Sequence, residues 1–295
     1  MKKILVPLDG SAVAEEILVY VEMLARQSGA AVILMRVVPF LWPSEHVHVR
    51  EMGDKMDKEA SDYLFTIETH LVEKGLEASV SVHEGNVPEV ICDAAREKAV
   101  DLIAISTHGH GGVKRWALGS VTSKVMQASP VPLLVHRSTG EEVGEVHCKH
   151  VLIPIDGSQF AESIFPQARL MVELFNAKVW FLSVITLPEG FSVLKKEVHA
   201  IEDQVASSIK HYYSSLESRL QAEQTTDYEV VIRKGDPAEA ICTFAEENEI
   251  DLIAMSTHGR SGLSRWALGS VTDKVLHCSS KPILLVRAQE DDQGT

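Results

Sequence analysis

The sequence predicts two tandem α/β domains, each with a five-stranded, mostly parallel, doubly wound sheet. Three observations carry this. The stretch Asp101–Arg137 returns as Asp251–Arg287, with Ser106, His108, Gly109, Gly119 and Ser120 reappearing as Ser256, His258, Gly259, Gly269 and Ser270. Short apolar runs alternate with helix-period segments, the mark of βαβ crossovers. The run Ala31–Val38 (AVILMRVV) is apolar almost without interruption, as a strand covered on both faces must be.

Taken in order, Lys3–Asp9 (KILVPLD) is a first strand ended by Pro7 and the turn Asp9-Gly10-Ser11. A helix follows from about Ala14 to Gln27, with Ile17, Val21 and Leu24 on one face and Gly29 closing it. After the second strand, Pro39 and Pro43 break the chain, and a long helix runs from about His46 to Lys74, ended by Gly75. Ala78–His83 alternates and reads as the third strand. Gly85–Pro88 opens a helix to about Lys98, and Leu102–Ser106 is the fourth strand. A glycine-punctuated loop, a helix from Gly119 and a last strand, Pro132–His136, complete the unit.

The same order then restarts. Asp9 recurs as Asp156, 147 places on, and Gly85 as Gly235, 150 places on, so the second copy is three residues longer around its second helix. The polar Ser138–His147 region supplies the connection. The reading is domain 1 at residues 1–140, a linker at 141–148, domain 2 at 149–288 and an acidic tail at 289–295.

Composition narrows the function classes. The net charge of −14 argues against a general nucleic-acid binder, which needs a basic surface to neutralise phosphates. The N-terminal apolar run is too short for a signal-peptide core and no stretch approaches a membrane span, so a soluble cytoplasmic protein with no membrane partner is expected. Cys92 and Cys242 fall at matching places on amphipathic helices and read as small core residues. Spacing implies no partner for Cys148 or Cys278, so all four cysteines are expected reduced.

The repeated loop is where chemistry is expected. The chain has neither GxxxxGK[ST], since Gly119-Ser120 is followed by Val121-Thr122-Ser123-Lys124, nor GxGxxG after the first strand. What it has twice is a serine ending a strand, a glycine three residues on, and a Gly-Ser helix start. Ligands of open parallel sheets bind at strand carboxyl ends, and a helix start offers free amides and a favourable dipole to an anion. Gly119-Ser120 as a mere helix cap and Gly109 as a mere turn is the bland alternative, weakened by the duplication. His108, His258, Arg115 and Arg265 are further loop candidates for a phosphate. Trp116 and Trp266 read as core or interface anchors. His46-x-His48 and His147-Cys148-Lys149-His150 have metal-ligand spacing but no third or fourth ligand in view, and no nucleophile elbow or acid–base carboxylate pair marks a catalytic centre.

The pattern G-x2-G-x9-G-[ST] after VPLDGS and IPIDGS first strands resembles the universal stress protein family in its tandem-domain form, over essentially both halves. The resemblance implies an adenine nucleotide alpha hydrolase-like fold and binding of ATP, or another adenine nucleotide, with Mg²⁺ carried by the phosphates. It implies that Pro7 and Asp9 line the ribose or base side of the first site, that the Val37 backbone reads adenine, and that Ser106, Gly109, Gly119, Ser120 and Val121 line the phosphates. In the second site Pro154, Asp156, Val184, Ser256, Gly259, Gly269, Ser270 and Val271 correspond. Ser106 and Ser256 stand where the family's first motif glycine stands. The implied function is a stress-response sensor or regulator, with no catalytic residues assigned. A slow ATP-hydrolysing enzyme and a nucleotide-free scaffold are the alternatives. The last strands resemble the edge that relatives use for pairing, which would join the halves as an intramolecular pseudo-dimer and leave a homodimer open.

Overall fold

The computed structural model describes residues 1–39, 47–107, 119–138, 143–186, 207–216, 227–257 and 268–287. The chain divides into two compact units, Met1–His147 and Cys148–Thr295. The first runs β1 (Lys3–Pro7), α1 (Ala12–Glu15), α2 (Ile17–Ser28), β2 (Ala31–Val38), α3 (Val47–Glu73), β3 (Ala78–Glu84), α4 (Val87–Glu97), β4 (Leu102–Thr107), α5 (Ser120–Ala128) and β5 (Leu133–Arg137). The second runs β6 (His150–Pro154), α6 (Gln159–Glu162), α7 (Phe165–Phe175), β7 (Lys178–Ile185), the helical residues 207–216 as α8, β8 (Tyr228–Lys234), α9 (Pro237–Glu247), β9 (Leu252–Ser256), α10 (Ser270–Cys278) and β10 (Ile283–Val286).

The strand order in the first unit is β3-β2-β1-β4-β5, and in the second β8-β7-β6-β9-β10. Within each unit every described pairing is parallel. The chain winds one way from β1 to β3 and the other way from β4 to β5. Right-handed crossovers then put α1–α3 on one face and α4–α5 on the other, and α4 packs on α5 as that requires. The doubly wound parallel sheet expected of each half is therefore present. Its strands are buried for the reason their sequence suggests: Ile4, Leu5, Val6, Val32, Leu34, Met35, Ile103 and Ala104 are all fully covered.

The single helix expected over Ala14–Gln27 is two. Ser11 accepts a hydrogen bond from the Ala14 amide at 3.1 Å and so starts α1 early. At Glu16 the amide turns to the Val13 carbonyl, a tighter bond that breaks the ladder before α2 begins. The helix then ends on Gly29 in the left-handed region, φ 69°. The second repeat reaches the same conformation with Asn176 at φ 50°, the other residue type that tolerates it.

A second correction concerns the cysteines. Cys92 and Cys148 are buried free thiols, but Cys242 and Cys278 form a disulfide. The reason lies in packing: α9 and α10 lie side by side and bring the two Cα atoms to 6.3 Å, inside the bridging range. In the first repeat the position of Cys278 is held by Ala128, so Cys92 has no such partner.

Both units fasten the start of their first strand in one way. The Asp101 carboxylate accepts from the Lys2 and Lys3 amides at 2.5 and 2.9 Å. Asp251 accepts from Lys149 and His150 at 2.7 and 2.9 Å. Partial burial pushes the Asp101 pKa up, but those amides and nearby positive charge outweigh it and leave the pKa below its ordinary value. A lowered folded pKa means stabilisation that is complete above about pH 4 and is lost as pH falls through the folded value. The advantage of wild type over Asp101→Asn in urea midpoint is therefore expected to shrink as pH falls from about 5 to about 2; a gap that stays constant would refute the assignment. No helix among the described residues is long and apolar enough to cross a membrane.

Candidate functional site

The winding direction reverses between β1 and β4, so a crevice opens beyond their carboxyl ends. Pro7 is the last residue of β1, half-buried and level with Met35. Asp9 follows two residues later. Its Oδ1 accepts the Ser11 amide at 2.9 Å and the Ser11 hydroxyl at 2.6 Å, while Ser11 caps α1. Asp156 and Ser158 repeat this arrangement at 2.9 and 2.6 Å. The carboxylate is thus held in a turn at the mouth of the crevice, where an Asp side chain bonding its own backbone two residues on is a stable motif.

On the far side, Gly119 is the residue before α5, at φ −56° and ψ 140°, and as a glycine it has no side chain to cap the helix. Ser120 and Val121 open it, so their amides belong to the first turn, which has no carbonyl partners within the helix. Gly269, Ser270 and Val271 do the same for α10. Each helix start is fastened to the strand before it. The Thr122 hydroxyl donates to the Ser106 carbonyl at 3.4 Å, and Thr272 to Ser256 at 3.0 Å. The Gly269 amide also donates to the Thr257 carbonyl at 2.8 Å. Sequence reasoning passed over these two threonines, both buried; the signal was present in the unchanged repeat of Gly-Ser-Val-Thr.

Ser106 is 8% exposed, and its Oγ has no hydrogen-bond partner among the described residues. It lies level with His136 on β5. Val37 and Val184 sit one residue before the ends of β2 and β7, half-buried, in register with His83 and Arg233. The structure therefore gathers Pro7, Asp9, Ser106, Gly119, Ser120 and Val121 around the β1–β4 crevice, with Val37 one strand further. Pro154, Asp156, Ser256, Gly269, Ser270, Val271 and Val184 take the matching places. Gly109 and Gly259 lie outside the described residues, as do His108, His258, Arg115, Arg265, Trp116, Trp266, His46 and the His48 side chain. Among the described residues no three His, Cys, Asp or Glu side chains are grouped as metal ligands.

The two repeats differ beneath the Asp-Gly-Ser turn. In the first, the Arg36 guanidinium lies 5.2 Å from the Tyr63 ring centre, and Tyr63 donates to Glu15 at 2.9 Å. Gly10 is at φ +85°, and a Cβ there would meet Arg36 Nη1 at 3.1 Å, so the cation backs the turn closely. In the second, Ser183 replaces Arg36. It donates to the Ile155 carbonyl at 2.7 Å and meets the Tyr213 hydroxyl at 2.9 Å. Burial pushes the Tyr213 pKa up to about 12.

Beside the first crevice, His136 Nε2 lies 3.0 Å from Glu16 Oε2, and the Ser138 hydroxyl donates to Glu16 Oε1 at 2.6 Å. The carboxylate fixes the proton on Nε2, which leaves Nδ1 buried with no partner among the described residues. Burial lowers the His136 pKa; Glu16 opposes this in part. The second repeat has Ser163 and Val286 at these positions.

Fold and crevice define a class, tandem open α/β domains with an anion-suited helix start at each switch point. The Universal stress protein family model matches residues 1–137 and again 147–287, and the chain belongs to that family. It is similar to a universal stress protein of Mycolicibacterium smegmatis, 24% identical over 302 residues and covering 96% of each chain. A Methanocaldococcus jannaschii universal stress protein is 32% identical over 152 residues, 49% of this chain and 85% of the relative. With relatives from Mycobacterium tuberculosis the identity is 27% over 195 residues, and the chain spans about 62% of their length. The crystal structure of a universal stress protein from Archaeoglobus fulgidus shares the fold, with TM-score 0.71, 20% identity and coverage of 97% of this chain and 98% of that one.

Proposed function

We propose that this universal stress protein binds an adenine nucleotide, ATP first among them, in one or both repeats, and acts as a stress-response sensor or regulator. One observation carries the reading: each repeat sets a glycine-led helix start, fastened by its own threonine, across a switch-point crevice from a turn-held aspartate. Amides and dipole at the helix start suit phosphates, and a carboxylate two residues past β1 suits ribose hydroxyls. Val37 and Val184, at the next strand ends, supply backbone groups for the base edge. A negative net charge is no obstacle, because the donors at the helix start are local and largely backbone. Mg²⁺ enters this reading as the phosphates' own counter-ion.

The reading is tested by titrating the full chain with labelled ATP and Mg²⁺, and by mass spectrometry of small molecules released on denaturation. Saturable binding, with up to two nucleotides per chain, is expected. Replacing both Asp9 and Asp156 by Ala should weaken ATP more than inorganic triphosphate, since the carboxylates face the sugar side. Absence of saturable binding at millimolar ATP would eliminate the reading in favour of a nucleotide-free scaffold.

A further inference from the structure

The second repeat ties its helix α10 to α9 twice, and the first repeat ties the matching pair by neither means. One tie is electrostatic. Lys274 Nζ donates to Asp236 Oδ2 at 2.8 Å, and Asp236 Oδ1 caps α9 through the Ala238 and Glu239 amides at 2.9 and 3.2 Å. The other is covalent, the Cys242–Cys278 bond, with Cys278 the last residue of α10. In the first repeat Asn86 stands for Asp236 and makes no side-chain cap, and Ala128 stands for Cys278. The two cysteines differ in access: Cys242 is 8% exposed, whereas Cys278 is an exposed residue at the helix end. Cys92 and Cys148 are buried, and burial pushes both thiols up, Cys148 to about 12. Neither competes as a reactive thiolate near neutral pH.

We infer that the Cys242–Cys278 bond is a thiol–disulfide exchange site, open to a dithiol at Cys278, and that its reduction loosens α10 in the second repeat alone. A reductant thiolate attacks Cys278 Sγ, forms a mixed disulfide and breaks the bond to Cys242, which leaves as a thiolate and takes up a proton. The reductant's second thiol then attacks the mixed disulfide and releases Cys278. Two electrons and two protons pass from the dithiol, which ends as a disulfide, to the protein, which ends with two thiols. The electrostatic tie at Lys274, in the middle of α10, and the Thr272 bond to β9 remain, so reduction frees the Cys278 end and leaves α10 with fewer restraints than in the oxidised protein. The helix's far end is the Gly269-Ser270 start, so on the nucleotide reading given above, and only there, the consequence reaches ATP. A helix that is correctly placed for a smaller fraction of the time binds more weakly by that fraction.

The full chain is compared with and without dithiothreitol. Non-reducing peptide mapping should recover Cys242 and Cys278 as one linked pair. Amide hydrogen exchange across Ser270–Cys278 should rise about tenfold on reduction while Ser120–Ala128 is unchanged. Cys278→Ala, which installs the first repeat's residue, should match the reduced protein and ignore dithiothreitol. In a Ser120→Pro background that isolates the second site, reduction should weaken ATP binding about tenfold. Equal α10 exchange in both redox states, or no linked pair in the map, would overturn the inference. A responsive α10 with unchanged ATP affinity would overturn its reach to the site. ATP binding absent in both states while α10 still responds would instead sink the nucleotide reading and leave the exchange site supported.

Discussion

Ser120→Pro and Ser270→Pro together are expected to weaken ATP binding about a hundredfold without unfolding the protein. Each serine is the first helical residue after an extended glycine, Gly119 at ψ 140° and Gly269 at ψ 142°. That is the conformation a residue before proline adopts, and proline is favoured at a first helical position because that amide has no partner within the helix. The substitution therefore removes one amide and one hydroxyl from each candidate phosphate seat and little else. Two hydrogen bonds to a charged group, at about 1.5 kcal/mol each, correspond to roughly two decades in affinity. Ser120→Ala with Ser270→Ala removes only the hydroxyls and should cost about one decade. Calorimetric titration reads both, with circular dichroism as the check on folding. An unchanged affinity in the double proline variant would exclude the helix starts as the phosphate seat.

Glu16→Ala is expected to destabilise the first repeat by about 2–4 kcal/mol. His136, 3% exposed, would keep its Nε2–H in the core with its acceptor gone, beside an Nδ1 with no partner among the described residues. At two to four degrees per kcal/mol for a domain of this size, the lower melting transition should fall by roughly 10 °C. Glu16→Gln keeps an acceptor and should lose much less. Since the folded His136 pKa is depressed by burial, the pair's contribution is complete above about pH 6.5 and declines as pH falls through the folded value. His136→Gln should remove that acid-side slope. A Glu16→Ala protein as stable as wild type would show that the pair is not a structural core element.

The parts of this fold that could be read from the chain are those whose cause is local. Ala31–Val38 is a two-face strand because its neighbours on both sides are helices, and eight residues carry that message. The long helix α3 stops at Gly75 because only glycine accommodates φ 79° cheaply there. What was illegible depends on contacts between distant residues. The Cys242–Cys278 bond spans 36 residues and exists because α9 lies on α10; a lone Cys92 in the other repeat pointed toward two separate core thiols. The His136–Glu16 pair spans 120 residues. The break at Glu16 has no glycine or proline to announce it, only a change of carbonyl partner. At the candidate site, Gly119-Ser120 and Asp9 were readable as a pattern, and the repeated Gly-Ser-Val-Thr marked Thr122, but the carbonyl it bonds on β4 shows only in the register of the two elements.

The carboxylates of Asp101 and Asp251 bear on the order in which the protein can be made. β1 sits in the middle of its sheet, with β2 on one side and β4 on the other. Its first neighbour is synthesised within about thirty residues of it, but the second begins at Leu102, and Asp101, just ahead of it, reaches back to Lys2 and Lys3 across 99 and 98 positions. A nascent first repeat can assemble β1, β2 and β3 early, yet it keeps an open edge on its central strand until β4 arrives, and such non-local pairings close slowly. Exposure of that edge during translation ends with the residues around Asp101. The second repeat meets the same delay at Asp251, by which point the first has already been synthesised in full.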